Sequence, residues 1–140
     1  MKIKEFVQEI VNKYGTRNPY TIAKALGISI IYEDLGTIRG YYNKQIRDKQ
    51  IHINHYLNAD QRIFTMSHEL GHALMHPNVN TPFLANSTLM SVNKLEIEAN
   101  TFAMHILLSD EEIAEYNDYC IPQLSILFGY DEELIRLRLR

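Results

Sequence analysis

Apolar residues recur at intervals of three and four over the first part of the chain, which is the period of helices with one buried face. A first helix is predicted to end at Gly15, and a second is predicted over 19–26, with Asn18 as its N-cap and Gly27 after its end. The apolar face of the first helix consists of Ile3, Phe6, Val7, Ile10, Val11 and Tyr14.

Segments rich in β-branched and aromatic residues follow and predict three strands, over 28–33, 38–42 and 50–54. Gly36 separates the first two strands, and a polar turn over 43–49 separates the last two. We interpret the three strands as a small antiparallel sheet.

Helical periodicity returns over 59–76, where Pro77 follows, and again over 94–108. The segment between them, 77–93, is rich in Asn, Ser, Thr and Pro and is predicted to be a surface loop. A loop of this length is a candidate functional element. Three more short helices are predicted near the end of the chain: one capped by Ser109, one over 123–128 and one over 131–139.

Length and composition indicate one globular domain, residues 1–140. From the predicted elements we expect the α+β class, in which helices pack on the small antiparallel sheet. Of its 140 residues, 46% are hydrophobic and 22% are charged, which is typical of globular proteins. Cys120 has no partner for an internal disulfide, which fits a reducing cytosol. No apolar stretch approaches the length of a membrane span, so we expect a cytoplasmic protein.

The net charge of −3 lacks the basic footprint of a protein that binds nucleic acid or an anionic membrane directly. Two segments, 21–27 and 124–140, still resemble parts of a helix-turn-helix. Short amphipathic helices ending in glycine are common, however, and the arginines at 136, 138 and 140 follow three acidic residues, as expected for compensation of a helix dipole. We therefore do not expect DNA to be the partner.

The segment His68-Glu69-Leu70-Gly71-His72 has the HExxH pattern and lies on the predicted helix over 59–76. Histidines four residues apart lie on one helix face, so both imidazoles can reach one zinc ion, while Glu69 can hold the reacting water. Gly71 costs about 1 kcal/mol relative to Ala inside a helix, which is reasonable if another backbone approaches there. The small residues Ala99 and Ala103 are candidates for that approach.

The predicted helix over 94–108 carries two candidates for a third metal ligand, Glu96 and Glu98. Both flank its apolar stripe, but at about 100° per residue Glu96 lies on the drier side, next to Ala103. Asn100, one turn after Glu96, is placed to hold a ligating histidine by its other ring nitrogen. We favour Glu96 as the ligand and keep Glu98 as the alternative.

Two longer motifs surround these residues. The first is R-I-F-T-M-S-H-E-L-G-H over 62–72, and the second is E-I-E-A-N-T-F-A over 96–103, followed by Leu107 and Leu108. Together with I-H-I-N over 51–54, they resemble the ImmA/IrrE family of zinc metallo-endopeptidases, whose pattern is R-x-F-T-x-x-H-E-L-G-H and then E-x-x-A-N-x-F-A-x-x-L-L. Ser109 stands where the family usually has proline, a departure that concerns only that helix end.

The resemblance implies a zincin-like fold and a gluzincin-like, zinc-dependent endopeptidase encoded by bacteria or their mobile elements. It implies that His68, His72 and Glu96 bind Zn²⁺ and that Glu69 is the catalytic residue. It also implies a protein substrate, a helix-turn-helix repressor whose cleavage relieves repression.

A binding module is the competing interpretation: an anti-repressor or antitoxin-like partner whose zinc serves only the fold. Such a closed site needs a fourth protein ligand, for which His76 is the obvious candidate, although its position before Pro77 is also typical of a cation at a helix end. Arg62 is expected to pair with a surface carboxylate. Three other histidines are expected at the surface: His52, His55 and His105.

The strand over 50–54 is also a candidate cradle for an extended substrate. Ile51 and Ile53 alternate with His52 and Asn54, as in a strand with one buried and one solvated face. We expect its edge to bind substrate backbone, and the loop over 77–93 to border the cleft.

Overall fold

A computed structural model describes residues 2–81 and 90–140, with no side chain described over 90–93. Within these ranges the chain forms seven helices and three strands, in the order α1 (Ile3–Tyr14), α2 (Pro19–Ala25), β1 (Ser29–Glu33), β2 (Gly40–Gln45), β3 (Asp48–Asn54), α3 (Ala59–Met75), α4 (Met90–Leu107), α5 (Asp110–Ala114), α6 (Ile121–Phe128) and α7 (Glu132–Leu139). The α+β class is confirmed.

The predicted helix ends are confirmed where local capping decides them. Gly15 adopts the left-handed conformation after α1, with φ of 67°, and its N–H donates to the carbonyl of Val11. The Asn18 side chain accepts hydrogen bonds from the first backbone N–H groups of α2. Ser109 caps α5 in the same way, by accepting from the N–H of Glu112.

Two predicted helix starts are wrong: helix α6 begins at Ile121 rather than at residue 123, and helix α4 also begins earlier than predicted. Helix α4 begins at Met90 rather than at residue 94, so the connection between α3 and α4 is shorter than the predicted loop over 77–93. Nearly half of that loop, residues 82–89, lies outside the described part of the chain.

The sheet is mixed, so the prediction of three antiparallel strands is wrong. The strand order is β1-β3-β2, with β1 parallel to β3 and β2 antiparallel to β3. The polar turn predicted over 43–49 shrinks to Ile46 and Arg47, because β2 and β3 stay paired out to Gln45 and Asp48. Strand β3 therefore returns between the other two, and both of its edges are paired.

The central position of β3 also buries the polar side chains that were expected in water. Asn54 donates to the carbonyls of Gly36 and Ile38, and these two hydrogen bonds hold the connection between β1 and β2 against the end of β3. His52 lies 2.7 Å from a carboxylate oxygen of Glu33 and stacks on the Tyr41 ring. The alternation in β3 correctly predicted which side chains share a face of the strand, but residues 51–54 are buried on both faces.

The main core lies between the inner face of the sheet, α3, α4 and the first two helices. Its buried residues are Val7, Ile22, Ala23, Ile28, Tyr42, Ile51, Ile53, Met66, Leu70, Ala73, Phe102 and Ile106. A second apolar cluster joins the end of α4 to α6 and α7 through Met104, Leu108, Leu124 and Ile135. In the described ranges, no helix combines the length and the apolar character needed to cross a bilayer.

Three arginine side chains donate hydrogen bonds to backbone carbonyls at helix ends or in connections, rather than only to carboxylates at the surface. Arg17 donates to the carbonyl of His105, and Arg138 donates to that of Leu108, so both bind the carboxyl end of α4. Arg138 was expected to compensate the dipole of its own helix, but it is buried and binds the end of α4 instead. Arg62 donates to the carbonyl of Leu57 and faces the Tyr32 ring, so the expected surface carboxylate is not its partner.

Helices α3 and α4 pack tightly against each other at Gly71. A methyl group added to Gly71 would lie 3.1 Å from Cδ1 of Phe102, so the close neighbour is an aromatic side chain rather than the backbone expected there. Phe102 is fully buried and has little room to move. Ala99 and Ala103 lie buried on either side of it in α4.

We predict that Gly71→Ala lowers the free energy of unfolding by about 1 kcal/mol, because overpacking costs about 1–3 kcal/mol and the gain in helix propensity offsets about 1 kcal/mol of it. In a Phe102→Leu background, the same change should be neutral or stabilising. Urea denaturation of the four proteins measures this coupling. An equal effect of Gly71→Ala in both backgrounds would show that the Phe102 ring does not set the approach.

Of the three histidines expected at the surface, only His55 is exposed, whereas His52 and His105 are buried. Burial, with the positive charges of Arg138 and Lys4, lowers the pKa of His105 to about 4. Below pH 6.5 the unfolded chain therefore binds a proton that folded His105 does not bind until about pH 4.

We predict that this difference lowers the free energy of unfolding as the pH falls from 6.5 to 4, by at most about 1.4 kcal/mol per pH unit. His105→Gln should make the pH dependence shallower, and the exposed control His55→Gln should leave it unchanged. Urea denaturation at a series of pH values measures both slopes. Parallel slopes for His105→Gln and wild type would contradict the assignment.

Candidate active site

The two histidines of the HExxH segment lie on the face of α3 that packs against α4. Their ring centroids are 4.8 Å apart, as the four-residue spacing predicts. Glu96 reaches across from α4 and contacts both rings: one carboxylate oxygen lies 3.0 Å from Nε2 of His68, and the other lies 2.9 Å from Nε2 of His72. One ligand atom from each of the three residues falls within 4.8 Å of the others, which is close enough to bind one metal ion.

Asn100 determines which nitrogen of His68 faces this point. Its side-chain oxygen lies 2.7 Å from Nδ1 of His68, so Nδ1 must carry the hydrogen and donate. In the neutral ring that binds a metal, the lone pair is then on Nε2, whereas a ring protonated on both nitrogens donates from Nε2 to Glu96. Two imidazole nitrogens and one carboxylate form a donor set that suits zinc, and the tautomer of His68 fits metal binding.

The structure separates the two glutamates that sequence left as alternatives. Glu98 does not join His68 and His72; its carboxylate lies 3.0 Å from Nε2 of His76. His76 is the C-cap of α3, and its Nδ1 lies 3.0 Å from Nδ1 of His72, on the opposite side of that ring from Glu96. His76 is therefore buried against Glu98, rather than placed as a fourth ligand or as an exposed cation.

Glu69 lies buried next to the three converging side chains. Its nearer carboxylate oxygen is 3.9 Å from Nε2 of His68. Burial raises the pKa of Glu69 to about 7, although the neighbouring His68 and a hydrogen bond from Thr81 act in the opposite direction. A carboxyl group with this pKa can accept and release a proton near neutral pH.

The other side chains of the cluster differ in their charge. Burial acts to raise the pKa of Glu96, but hydrogen bonds from His68 and His72 outweigh it and hold that pKa well below its usual range. Burial lowers the pKa of His72, which favours the neutral ring that a metal requires. The cluster thus presents one carboxylate and at least one neutral imidazole at the same point.

Thr81 is a contact of Glu69 that the sequence did not reveal. Its hydroxyl accepts from the backbone N–H of Tyr42 at 2.6 Å and lies 3.4 Å from Glu69. Asn80 accepts from the N–H of Lys44, so these two side chains cover outward-facing groups of β2. A threonine in a polar connection carries no sequence signal for such a role.

The expected cradle at the edge of residues 50–54 is wrong, because β3 is the central strand of the sheet. A groove of about 700 Å³ instead lies next to the candidate site, between α3, α4 and the last two helices. Phe64 and Asn100 line it and also contact or flank His68. Its remaining apolar lining includes Ile97, Phe128, Leu134 and Leu137.

Comparison with known proteins places the chain in a family. The family model described as an IrrE N-terminal-like domain, Peptidase_M78, matches residues 23–140. The chain belongs to the ImmA/IrrE family of metallopeptidases. The family resemblance noted in the sequence is confirmed.

Two relatives match most of the chain. The chain is 42% identical to the uncharacterized immunity region protein 2 of Bacillus phage phi105 over 139 residues, which cover 97% of this chain and 88% of that protein. It is 35% identical to the metallopeptidase ImmA of Bacillus subtilis (strain 168) over 119 residues, which cover 84% of this chain and 69% of that protein.

A solved structure supports the fold alone. A transcriptional regulator of Mycobacterium tuberculosis superimposes on 99% of this chain with a TM-score of 0.62, at 22% sequence identity. The chain spans 47% of the length of that protein.

We predict that the purified chain binds one zinc ion and that Glu96→Ala abolishes stoichiometric binding, because it removes one of the three converging donors. Glu98→Ala should retain one zinc per chain, since Glu98 lies outside this donor set. Elemental analysis after gel filtration measures both. Equal zinc contents in the two variants would remove Glu96 from the set of ligands.

Proposed function

We propose that this chain is a zinc-dependent endopeptidase, a single HExxH metallopeptidase domain that cleaves a helix-turn-helix repressor and so relieves repression in a bacterium or its mobile element. The observation that carries the proposal is the convergence of His68, His72 and Glu96 beside a buried carboxyl group, Glu69. His68, His72 and Glu96 would hold the zinc ion, and Asn100 would fix the His68 ring.

The bound zinc would supply Lewis acidity for the scissile carbonyl and for the attacking water. Glu69 takes the proton from that water on a carboxylate oxygen and passes it to the nitrogen of the leaving amine. Its raised pKa supports both halves of this transfer, because neither the protonated nor the ionised form is strongly favoured at neutral pH.

The burial of Glu69 favours an enzyme over a binding module with a structural zinc. A purely structural site has no use for an ionisable group kept from solvent next to its ligands, and burying one is costly. In the described ranges, the metal-binding cluster also consists of three residues, as in catalytic sites that leave one position for water or substrate.

The identity of the substrate is inferred from the relatives and from the groove. One relative is named for a phage immunity region, and another is named as a metallopeptidase. A helix-turn-helix repressor is the substrate that the family resemblance implies, and the name of the first relative is compatible with a role in regulation. The groove beside His68 combines apolar side chains with charged ones, which suits the mixed side chains of a protein substrate.

We predict that Glu69→Gln retains the fold and one zinc per chain but lowers repressor cleavage by at least about 100-fold, because the amide keeps the shape and cannot accept the proton. Incubation with the purified product of the neighbouring repressor gene, followed by mass spectrometry, measures the cleavage. The exposed control Glu9→Gln should cleave like wild type.

Cleavage by Glu69→Gln at the wild-type rate would refute the proposed role of Glu69. A wild-type chain that binds the repressor and its zinc without cutting would instead support the binding module.

A further inference from the structure

A row of three polar side chains extends away from the metal-binding cluster behind His72. Nδ1 of His72 lies 3.0 Å from Nδ1 of His76, and Nε2 of His76 lies 3.0 Å from a carboxylate oxygen of Glu98. Both histidine rings are buried, whereas the Glu98 side chain is partly exposed. The row therefore connects a buried ring of the cluster to a carboxylate near the surface.

The hydrogens in this row can be assigned from its acceptor end. An ionised carboxylate only accepts hydrogen bonds, so Nε2 of His76 carries the hydrogen that faces Glu98. Nδ1 of a neutral His76 is then a bare acceptor, and the hydrogen between the two rings belongs to Nδ1 of His72. In the metal-bound chain the ion would take the place of the hydrogen bond between His72 and Glu96, and the lone pair of His72 is then on Nε2, the atom that faces Glu96 and His68.

We propose that His76 and Glu98 are positioning residues, which hold His72 in the tautomer and orientation that bind the metal. The inference rests on the proposed function only in that His72 is taken as a ligand. Asn100 holds His68 through one direct hydrogen bond, whereas His72 is held through a second imidazole inserted before the carboxylate. The two ligating rings thus have different supports.

The geometry of the helices explains why this support is available. His68, His72 and His76 follow one another at intervals of four on α3, so their rings form a continuous row. Glu96 and Glu98 both extend from α4 toward this row, Glu96 to its first two rings and Glu98 to its last. Two glutamates two residues apart therefore have different roles, one at the metal and one behind it.

The test compares two substitutions of His76 that differ in one acceptor. In His76→Asn, the side-chain oxygen can take the place of Nδ1 and accept from His72, whereas His76→Phe fills the same space without an acceptor. We expect His76→Phe to weaken zinc binding by about 10–100-fold, as the loss of a supporting partner does at other zinc sites, and His76→Asn to stay close to wild type.

Zinc affinity is measured by competition with a chromophoric chelator, and the visible spectrum of the Co²⁺-substituted protein reports the geometry of the ligands. Glu98→Ala should weaken zinc binding in the wild-type chain. It should have no further effect in the His76→Asn background, because His76→Asn already removes the ring that links His72 to Glu98. The control is His55→Phe, which makes the same change at an exposed position and should leave zinc affinity unchanged.

Equal zinc affinities for His76→Phe and His76→Asn would overturn the inference, whether both are weakened by lost packing or both are unchanged. If His76→Phe does not fold, Glu98→Ala alone decides, and an unchanged zinc affinity and Co²⁺ spectrum overturn the inference. His72→Ala separates the two proposals. Loss of zinc in His72→Ala without any effect at His76 or Glu98 refutes only the positioning role, whereas full zinc affinity in His72→Ala also removes His72 from the proposed metal site.

Discussion

The distance between α3 and α4 is the constraint on which the candidate site depends. The two histidines belong to one helix and Glu96 belongs to the other, so no single element can assemble the donor set. That distance is set where the Phe102 ring lies against Gly71, in the same turn of α3 as the second histidine. A methyl group at this position would lie 3.1 Å from the buried Phe102 ring and push the ring or the helix away, so the glycine is explained by the site as well as by the core.

Burial gives the same cluster its electrostatic character. Imidazole and carboxylate groups are costly to bury alone, and here they satisfy one another: Glu96 contacts the rings of both His68 and His72, Asn100 contacts the other nitrogen of His68, and His76 contacts the other nitrogen of His72. Glu69 is the exception, because burial dominates its surroundings and favours its neutral form. Two carboxyl groups in adjacent positions therefore have opposite pKa shifts, which is the division expected between a ligand and a proton carrier.

Much of this arrangement follows from local sequence rules. The spacing of His68 and His72, the caps Asn18 and Ser109 and the choice of Glu96 over Glu98 all depend on geometry within one helix, which periodicity describes well. The parallel pairing of β1 with β3 cannot be predicted from local geometry, since it depends on how the connection after β1 crosses the sheet. That crossing also buries Asn54, whose amide binds the connection, although its position in the strand pattern indicated solvent.

The residues that sequence reasoning missed act across elements. His76 acquires its role only when Glu98 of α4 reaches the end of α3, and Thr81 only when its connection lies along β2. Neither has a distinctive local pattern: a histidine before proline and a threonine in a polar segment are ordinary at the level of sequence. Contacts between distant residues, rather than unusual residue types, make them part of the site.

The arginines at the carboxyl end of α4 connect the stability of the candidate site to both halves of the chain. Arg17 comes from the connection after α1 and Arg138 from α7, and each satisfies carbonyl groups that the end of a helix leaves without a partner. If α7 detached, the carbonyl of Leu108 would lose its hydrogen bond from Arg138, and the apolar cluster that α7 shares with α4 would be uncovered. We therefore expect the last helix and the helix that bears Glu96 to unfold as one cooperative unit, so that local opening at the end of the chain loosens the framework around His68, His72 and Glu96.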